Sequence, residues 1–181
     1  MNYRLVKVRE EHLELLMNWR MREDISAMMF SDVKLTMEMQ REWYKRLQKD
    51  TTQIRWIIMA DEKPIGSMYL TDIDRANRRC ESGWFVAEKE YRSLPLAMAL
   101  QQNMFDYVFD VMKLNRVYGY VIDDNKSLIR LLQMCGLELE GTLREHVCKN
   151  EKLHDVFCVG LTENDWKNKK ESKRYFFIEI E

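Results

Sequence analysis

The sequence lacks several features that would assign a protein to a broad class. Of its 181 residues, 29 are Lys or Arg and 30 are Asp or Glu, which gives a formal net charge of −1. A net charge so close to zero, with many charges of both signs, favours neither a nucleic-acid binder nor a membrane-surface protein. No apolar run approaches the ~18 residues of a membrane-spanning helix, and no secretory leader is recognisable behind Met1. We therefore expect a cytoplasmic protein whose partners include neither nucleic acid nor a membrane.

Cysteine is also scarce. The four cysteines, at positions 80, 135, 148 and 158, form no Cys-x-x-Cys pair. Scattered cysteines of this kind are typical of buried free thiols in a reducing compartment. We expect no metal site.

The length and the apolar patterns favour a single α/β domain. The chain is long enough to bury one sizeable core. We expect one domain over residues 1–164 and a C-terminal tail over 165–181, which would be an added strand, a dimer contact or a disordered end. The patterns predict strands at 3–8, 56–60, 65–70, 78–86, 117–122, 139–148 and 153–161. They predict helices at 10–22 and 96–112, and a short helix after Asn125. A further helix is predicted to begin at Thr36, with Met39, Trp43 and Leu47 facing inward.

The middle of the chain has an order of elements suited to an anion. An apolar segment at 84–87 leads into a charged loop at 88–93, and the predicted helix at 96–112 follows. The strand at 117–122 comes next, and Asn125 supplies a capping side chain for a short helix. A loop that enters a helix N-terminus offers free backbone N–H groups and the positive end of the helix dipole, which suit a phosphate.

This stretch resembles the coenzyme A binding core of the GNAT acyltransferase superfamily. The pyrophosphate loop of that family reads Gln/Arg-x-x-Gly-x-Gly/Ala, and Arg92-Ser93-Leu94-Pro95-Leu96-Ala97 falls in its place. A second motif, Asn-x-Ser/Ala before a helix that ends in Gly-Phe, is matched by Asn125-Lys126-Ser127 and by Gly136-Leu137. The segment 139–146 and Asp155 resemble the branch that acetylates ribosomal-protein N-termini and nucleotide-linked amino sugars.

The resemblance implies a fold and a co-substrate. The fold would be GNAT-like, with a mixed, mostly antiparallel splayed sheet flanked by helices, and acetyl-CoA would enter the splay. Asn125 and Ser127 would line the pantetheine arm, although both are also ordinary helix caps. Arg92 and Arg130 would meet phosphates or simply be solvated. The cofactor-binding residues implied are Phe85, Val86, Ala87, Arg92, Ser93, Leu94, Leu96, Ala97, Asn125, Ser127 and Arg130.

Acetyl transfer from a thioester to an amine requires an uncharged amine, stabilisation of an oxyanion and release of a thiolate. Glu81 is the candidate general base, because a partly buried carboxylate near the amine would have a suitably raised pKa. The alternative is a structural ion pair of Glu81 with Arg78, Arg79 or Lys7. His146 and His154 are other candidate bases. A backbone N–H of the strand at 84–87 would stabilise the oxyanion.

Two residues depart from the family pattern. Pro95 replaces a glycine of the pyrophosphate loop and lacks an N–H, although Leu96, Ala97 and Met98 would still offer theirs. We expect altered or weakened cofactor binding. Leu132 occupies the place of a tyrosine that protonates the thiolate in many relatives, so water or one of three tyrosines would substitute: Tyr91, Tyr118 and Tyr120.

The N-terminal third is similar to nucleotide-sugar N-acetyltransferases of pseudaminic acid biosynthesis. That similarity implies an acceptor site, although the same aromatic and Met side chains would suit a plain core. The predicted function is acetyl transfer to the amine of a nucleotide-linked amino sugar, and a homodimer is expected. N-terminal acetylation of a protein or peptide and a non-catalytic coenzyme A fold remain alternatives. The acceptor-binding residues implied are Trp19, Arg20, Met29, Phe30 and Trp43.

Overall fold

The computed structural model describes residues 1–169 and 175–181. Strands form where β-branched and aromatic residues alternate, and helices form where apolar residues recur every three to four positions. The strands are β1 (Tyr3–Lys7), β2 (Ile54–Ala60), β3 (Lys63–Asp74), β4 (Arg79–Val86), β5 (Arg116–Ile122), β6 (Glu138–Lys149), β7 (Lys152–Thr162) and β8 (Glu179–Ile180). The helices are α1 (Leu13–Met21), α2 (Glu23–Ser26), α3 (Met37–Leu47), α4 (Leu94–Asp106), α5 (Lys126–Met134) and α6 (Glu163–Lys169).

The described strands form a single sheet in the order β6-β7-β5-β4-β3-β2-β1-β8. Neighbouring strands run antiparallel except for β4 beside β5 and β1 beside β8, which are parallel. The predicted fold class, a mixed and mostly antiparallel α/β sheet, is confirmed.

The sheet opens between β4 and β5. These strands pair only at three positions, from Arg79 opposite Arg116 to Glu81 opposite Tyr118. Beyond Glu81 each strand continues without the other, while β4 stays paired to β3 and β5 to β7. The predicted splay therefore begins directly after Glu81.

The two faces of the sheet carry separate cores. Trp56 and Ile58 of β2 point to the face covered by α4, whereas Ile57 and Met59 point to the face covered by α1 and α3. The alternation follows from the two-residue period of a strand. The protein thus encloses β4, the strand that carries Glu81, between helices on both faces.

The first predicted helix is broken. The chain makes a 3₁₀ turn at Glu10–His12, then α1, and Arg22 takes an extended conformation (φ −67°, ψ 135°) before α2 begins. The guanidinium of Arg22 pairs with Asp24 and donates to the carbonyl of Ala87. The long-range bond to Ala87 favours the break and brings α2 to the end of β4.

The second predicted helix begins where expected, but its inner face differs. Thr36 caps α3 by accepting the N–H of Met39 at 3.3 Å, as predicted. The prediction that Met39 faces inward is wrong, because its side chain is 47% exposed. Gln40 is buried instead, and its Nε2 donates to the carbonyl of Leu13 at 3.4 Å.

The segment beyond residue 164 joins the main core. Trp166 of α6 is buried against α4, and the N–H of Ile178 donates to Asn103 Oδ1 at 3.0 Å. β8 pairs with β1, so this segment supplies the added strand. Part of the predicted tail, residues 170–174, lies outside the described residues. None of the described helices is both long and apolar enough to cross a membrane.

Candidate active site

The opening between β4 and β5 forms a cleft of about 950 Å³. Its walls come from both strands, from the first turns of α4 and α5, and from the region of α1 and α2. The cleft brings together most of the residues that the sequence singled out: Arg20, Met29, Phe30, Glu81, Phe85, Val86, Arg92, Ser93, Leu94, Ala97, Asn125, Ser127 and Arg130.

Two predicted cofactor contacts do not line the cleft. Ala87 is fully buried, its N–H donates to the carbonyl of Ile65, and its own carbonyl accepts from Arg22 and Arg92. Leu96 is buried in the core between α4 and the sheet. Both residues stabilise the fold instead.

Two predicted acceptor contacts are also absent from the cleft wall. Trp19 is 3% exposed, packs edge-on against Phe85 and donates to Glu88 Oε1 at 3.0 Å. Trp43 packs against the core beneath α1 and α3. Aromatic side chains at helical spacing occur both in cores and in binding sites. Trp19 and Trp43 both pack in the core.

Glu81 lies at the inner end of the cleft, where β4 and β5 part. Burial raises the pKa of its carboxyl group, the negative charge of Asp72 raises the pKa further, and Arg55 opposes the shift. The alternative ion pairs do not form: Arg78 faces Glu163 at 3.8 Å, Arg79 faces Asp74 at 3.6 Å, and Lys7 lies three strands away on β1. In the described part of the chain no cation pairs with Glu81.

The candidate histidines lie outside the cleft wall. His154 is buried, and its Nδ1 lies 2.9 Å from Asp123 Oδ1. Together with Asp124 these two residues bring potential ligand atoms within 4.8 Å of one another and could hold a cation. Neither this cluster nor His146 lines the cleft that contains Glu81.

The floor of the cleft depends on a close approach of Tyr69 to Gly83. These residues are opposite one another on β3 and β4, and a Cβ built on Gly83 would lie 2.2 Å from the Tyr69 hydroxyl oxygen. The absence of a side chain at Gly83 therefore lets the Tyr69 ring lie across β4. Sequence reasoning missed Tyr69 as a wall of the site.

Replacing Gly83 with Ala is expected to destabilise the protein by about 1–3 kcal/mol, because the half-buried Tyr69 ring must move. Chemical denaturation with urea would measure the change in the free energy of unfolding. Gly141 is the matched control, since a Cβ there meets no atom within 4 Å. Equal stability of the two Gly→Ala variants would contradict the assigned role of Gly83.

At the N-terminus of α4, more backbone N–H groups are hydrogen-bonded than the sequence suggested. Ser93 caps the helix: its Oγ accepts the N–H of Leu96 at 3.4 Å, and its carbonyl accepts that of Ala97 at 3.0 Å. The expectation that three N–H groups are free for a phosphate is thus wrong for those of Leu96 and Ala97. Ser93 and Leu94 stand at the start of the helix, so no preceding turn supplies an acceptor for their N–H groups.

Arg92 is neither simply solvated nor free. Its Nε donates to the carbonyl of Val86 at 2.8 Å, and its Nη2 donates to Ala87 O at 3.0 Å and to Asp24 Oδ2 at 2.6 Å. Arg22 and Arg92 together hold the pKa of the Asp24 carboxyl well below its usual range. Arg92 therefore fixes the loop that precedes α4.

The opposite wall of the cleft comes from α5 and β5. Asn125 caps α5 by accepting the N–H of Leu128, and Ser127 donates to Asn125 Oδ1, both at 3.3 Å. Leu132 is buried and also lines the cleft. Of the three candidate tyrosines, Tyr120 alone lines it, and the Tyr118 hydroxyl is bound to Asp72.

Comparison with known proteins identifies the family. Residues 2–138 match the acetyltransferase (GNAT) domain model, and the chain belongs to that family. It is 25% identical over 127 residues to a putative ribosomal N-acetyltransferase, YdaF, of Bacillus subtilis, covering 70% of this chain and 69% of the relative. It is 24% identical over 144 residues to the acetyltransferase PseH of Campylobacter jejuni, and the match covers 78% of this chain and 88% of PseH.

The fold is similar to that of a solved acetyltransferase. The structure of spermidine N-acetyltransferase from Vibrio cholerae in complex with CoA and spermine matches with a TM-score of 0.87 at 23% identity, over 92% of this chain and 99% of that one. Another structure of the Vibrio cholerae protein is dodecameric. It matches with a TM-score of 0.81 at 22% identity, over 93% of this chain and 98% of that one.

Membership of the family confirms the predicted class of enzyme, an N-acetyltransferase, and with it the acetyl donor, acetyl-CoA. The names of the relatives do not agree on an acceptor. A small amine fits the family, and a nucleotide-linked amino sugar stays a prediction.

Proposed function

We propose that the protein transfers the acetyl group of acetyl-CoA to the primary amine of a small acceptor, a nucleotide-linked amino sugar being the leading candidate. One observation carries the proposal: Glu81 is a half-buried carboxylate without an ion-pair partner in the described residues, at the inner end of the cleft. A raised pKa in such a position suits a general base.

The walls of the cleft fit acetyl-CoA. The N–H groups of Ser93 and Leu94, at the positive end of α4, would bind its pyrophosphate together with Arg130, while Arg92 holds the loop through Val86, Ala87 and Asp24. Pro95 is the second residue of α4, where its missing N–H costs little. The pantetheine arm would lie between Phe85 and Val86 of β4 on one side and Asn125 and Ser127 on the other. When bound, acetyl-CoA supplies the acetyl group as a thioester.

Residues of the splay supply the chemistry. As the amine nitrogen bonds to the acetyl carbon and the carbon–sulfur bond breaks, Glu81 accepts the proton that the nitrogen loses, directly or through water. Since Ala87 donates its N–H to β3, the N–H groups of Trp84 and Val86 turn to the open side of β4. They are the donors for the developing oxyanion. Water or Tyr120 would protonate the departing thiolate, because Leu132 has no proton to give.

The acceptor would enter beside Arg20, Met29 and Phe30. Apolar and aromatic side chains there suit the face of a sugar or a nucleobase. The chain termini of proteins are a second class of acceptor, favoured by the similarity to YdaF. A non-catalytic protein is the remaining alternative, and Leu132 in the cleft wall favours it.

The test is release of the CoA thiol from acetyl-CoA in the presence of amines: a nucleotide-linked 4-amino sugar, a short peptide with a free N-terminus, and spermidine. Amine-dependent release with at least one of them, lost in Glu81→Gln, is the result expected. Binding of acetyl-CoA without transfer to any amine would favour the non-catalytic alternative.

Two further predictions concern the cell and the assembly. A cytoplasmic location is consistent with the four free cysteines.

A homodimer is supported by β6, an exposed edge strand that presents Leu139 and Leu143 to solvent. Light scattering after size exclusion would measure the mass in solution, and a monomer at all concentrations would contradict a homodimer.

A further inference from the structure

Two guanidinium groups in the cleft have donors without partners. Arg55 of β2 and Arg20 of α1 both line the cleft that contains Glu81. Arg55 Nε and Arg20 Nη1 are shielded from solvent and hydrogen bond to none of the described residues. Buried polar groups of native proteins are nearly always satisfied, so such donors call for an explanation.

The contacts of Arg55 leave its donors available. Its guanidinium lies 4.4 Å from the centre of the Tyr69 ring and 6.0 Å from that of Trp43. Aromatic faces stabilise the cation without accepting in-plane hydrogen bonds. Arg55 pairs with Tyr69 across β2 and β3, and Tyr69 pairs with Gly83 across β3 and β4. Because Gly83 is two residues from Glu81, all of these residues lie on one face of the sheet.

Arg20 approaches the cleft from above the sheet. Its Nη2 donates to Ser31 O at 2.9 Å and to Ser31 Oγ at 3.4 Å, which fixes the guanidinium and leaves Nη1 unused. No carboxylate of the described residues lies within ion-pair distance of Arg20 or Arg55. Burial lowers the pKa of both groups. The charges of Tyr69 and Asp32 oppose the shift of the Arg20 pKa, and those of Tyr69 and Glu81 oppose the shift of the Arg55 pKa.

The charge balance of the cleft is positive. Asp24 is already bound by Arg22 and Arg92, so Glu81 is the one acidic side chain of the described cleft wall without a cation partner. The charged residues of the wall are Arg20, Arg55, Arg92, Arg130, Asp24 and Glu81.

We propose that Arg20 and Arg55 bind an anionic oxygen group, a carboxylate or a phosphate, that the acceptor carries close to its amine. This inference rests on the proposed acetyl transfer and names the class of its acceptor. The planar fork of a guanidinium matches the two oxygens of such a group, and a charge-assisted bond would satisfy the unused donors. A polyamine brings positive charges alone, and the two half-buried Arg cations repel it. The site therefore discriminates against the acceptor that the Vibrio cholerae relative's name specifies.

The first experiment does not need the acceptor. Protein saturated with CoA is titrated with inorganic phosphate and with acetate, and its unfolding temperature is measured against sodium chloride at equal ionic strength. Saturation with CoA occupies the cofactor's own phosphate contacts. We expect a saturable rise with at least one anion, and an apparent dissociation constant at least ~10-fold weaker in Arg20→Gln and Arg55→Gln, since a bond to a charged group is worth about 1.5–3 kcal/mol.

A matched variant controls for loss of positive charge. Arg46 is exposed on α3 and lies outside the cleft, so Arg46→Gln should titrate like the wild type. No saturable rise in the wild type, or the same rise in all three variants, would overturn the inference.

The second experiment distinguishes phosphate from carboxylate. Acetylation rates are compared for glucosamine 1-phosphate and glucosamine, for β-alanine and propylamine, and for spermidine. We expect kcat/KM for the anionic member of one pair to exceed that of its neutral partner at least ~10-fold, and Arg55→Gln to remove the difference. Spermidine as the fastest acceptor would overturn the inference and leave the proposed acetyl transfer standing. If no amine reacts, the anion titration alone decides.

Discussion

Replacing Glu81 with Gln is expected to lower kcat by a factor of ~10²–10⁴, the usual contribution of a general base. Gln keeps the size of the side chain and one of its two oxygens but cannot accept the proton of the amine. Glu81 is bound to no cation of the described chain, so the loss of its charge breaks no ion pair. Steady-state release of the CoA thiol measures the effect, and Glu42→Gln on the exposed surface of α3 is the matched control.

The pH dependence follows from the raised pKa of Glu81. Activity requires the carboxylate, so kcat/KM should rise with pH through a pKa above the usual 4.5 of a glutamate. The free energy of unfolding depends on pH in the opposite direction. The contribution of Glu81 to stability is fully present below the pKa that the group has in the unfolded chain, and it is lost as the pH rises through the higher pKa of the folded protein. Glu81→Gln should therefore unfold at neutral pH no more easily than the wild type. An inactive variant that also unfolds at a much lower temperature would indicate a structural role.

Replacing Trp166 with Ala is expected to destabilise the protein by about 3–5 kcal/mol, the cost of removing a large buried aromatic side chain. Trp166 is 1% exposed, its ring centre lies 4.9 Å from that of Phe105, and its Nε1 donates to Asp106 Oδ1 at 2.9 Å. For a chain of this length the unfolding temperature should fall by roughly 6–20 °C.

Phe177 provides the control for Trp166, because it is 79% exposed in the same C-terminal segment. Phe177→Ala should unfold close to the wild-type temperature. If Trp166→Ala does so too, the segment beyond residue 164 is dispensable for the core. If it is strongly destabilised, the family domain and this segment fold as one unit.

The fold could be predicted because its signals are local. The short apolar runs of β3, β4 and β7 and the stripe of Leu96, Leu100 and Met104 needed no knowledge of distant contacts. The break at Arg22 was not predictable in this way, since it depends on a bond to the carbonyl of Ala87, far along the chain. The period of the apolar residues does not report such bonds.

The candidate site was only partly predictable. Ser93 before Pro95 is an N-cap signature that would have predicted the closed first turn of α4. Trp19 and Trp43 could not be assigned, because an aromatic residue on a helix has the same pattern in a core and in a binding site. Arg55 was missed because a charged residue at the start of an apolar strand usually faces solvent. Burial of its donors is visible in the structure alone.

The central claim is that the cleft between β4 and β5 still binds acetyl-CoA despite Pro95. Thermal unfolding with and without acetyl-CoA tests it most directly, with ATP as the control for phosphate binding alone. At ~100 times the dissociation constant a ligand adds about 2.7 kcal/mol, which corresponds to a rise of roughly 5–10 °C. A rise with acetyl-CoA and none with ATP is the result we predict. No rise at millimolar acetyl-CoA would contradict the account of the cleft as an acetyl-CoA site.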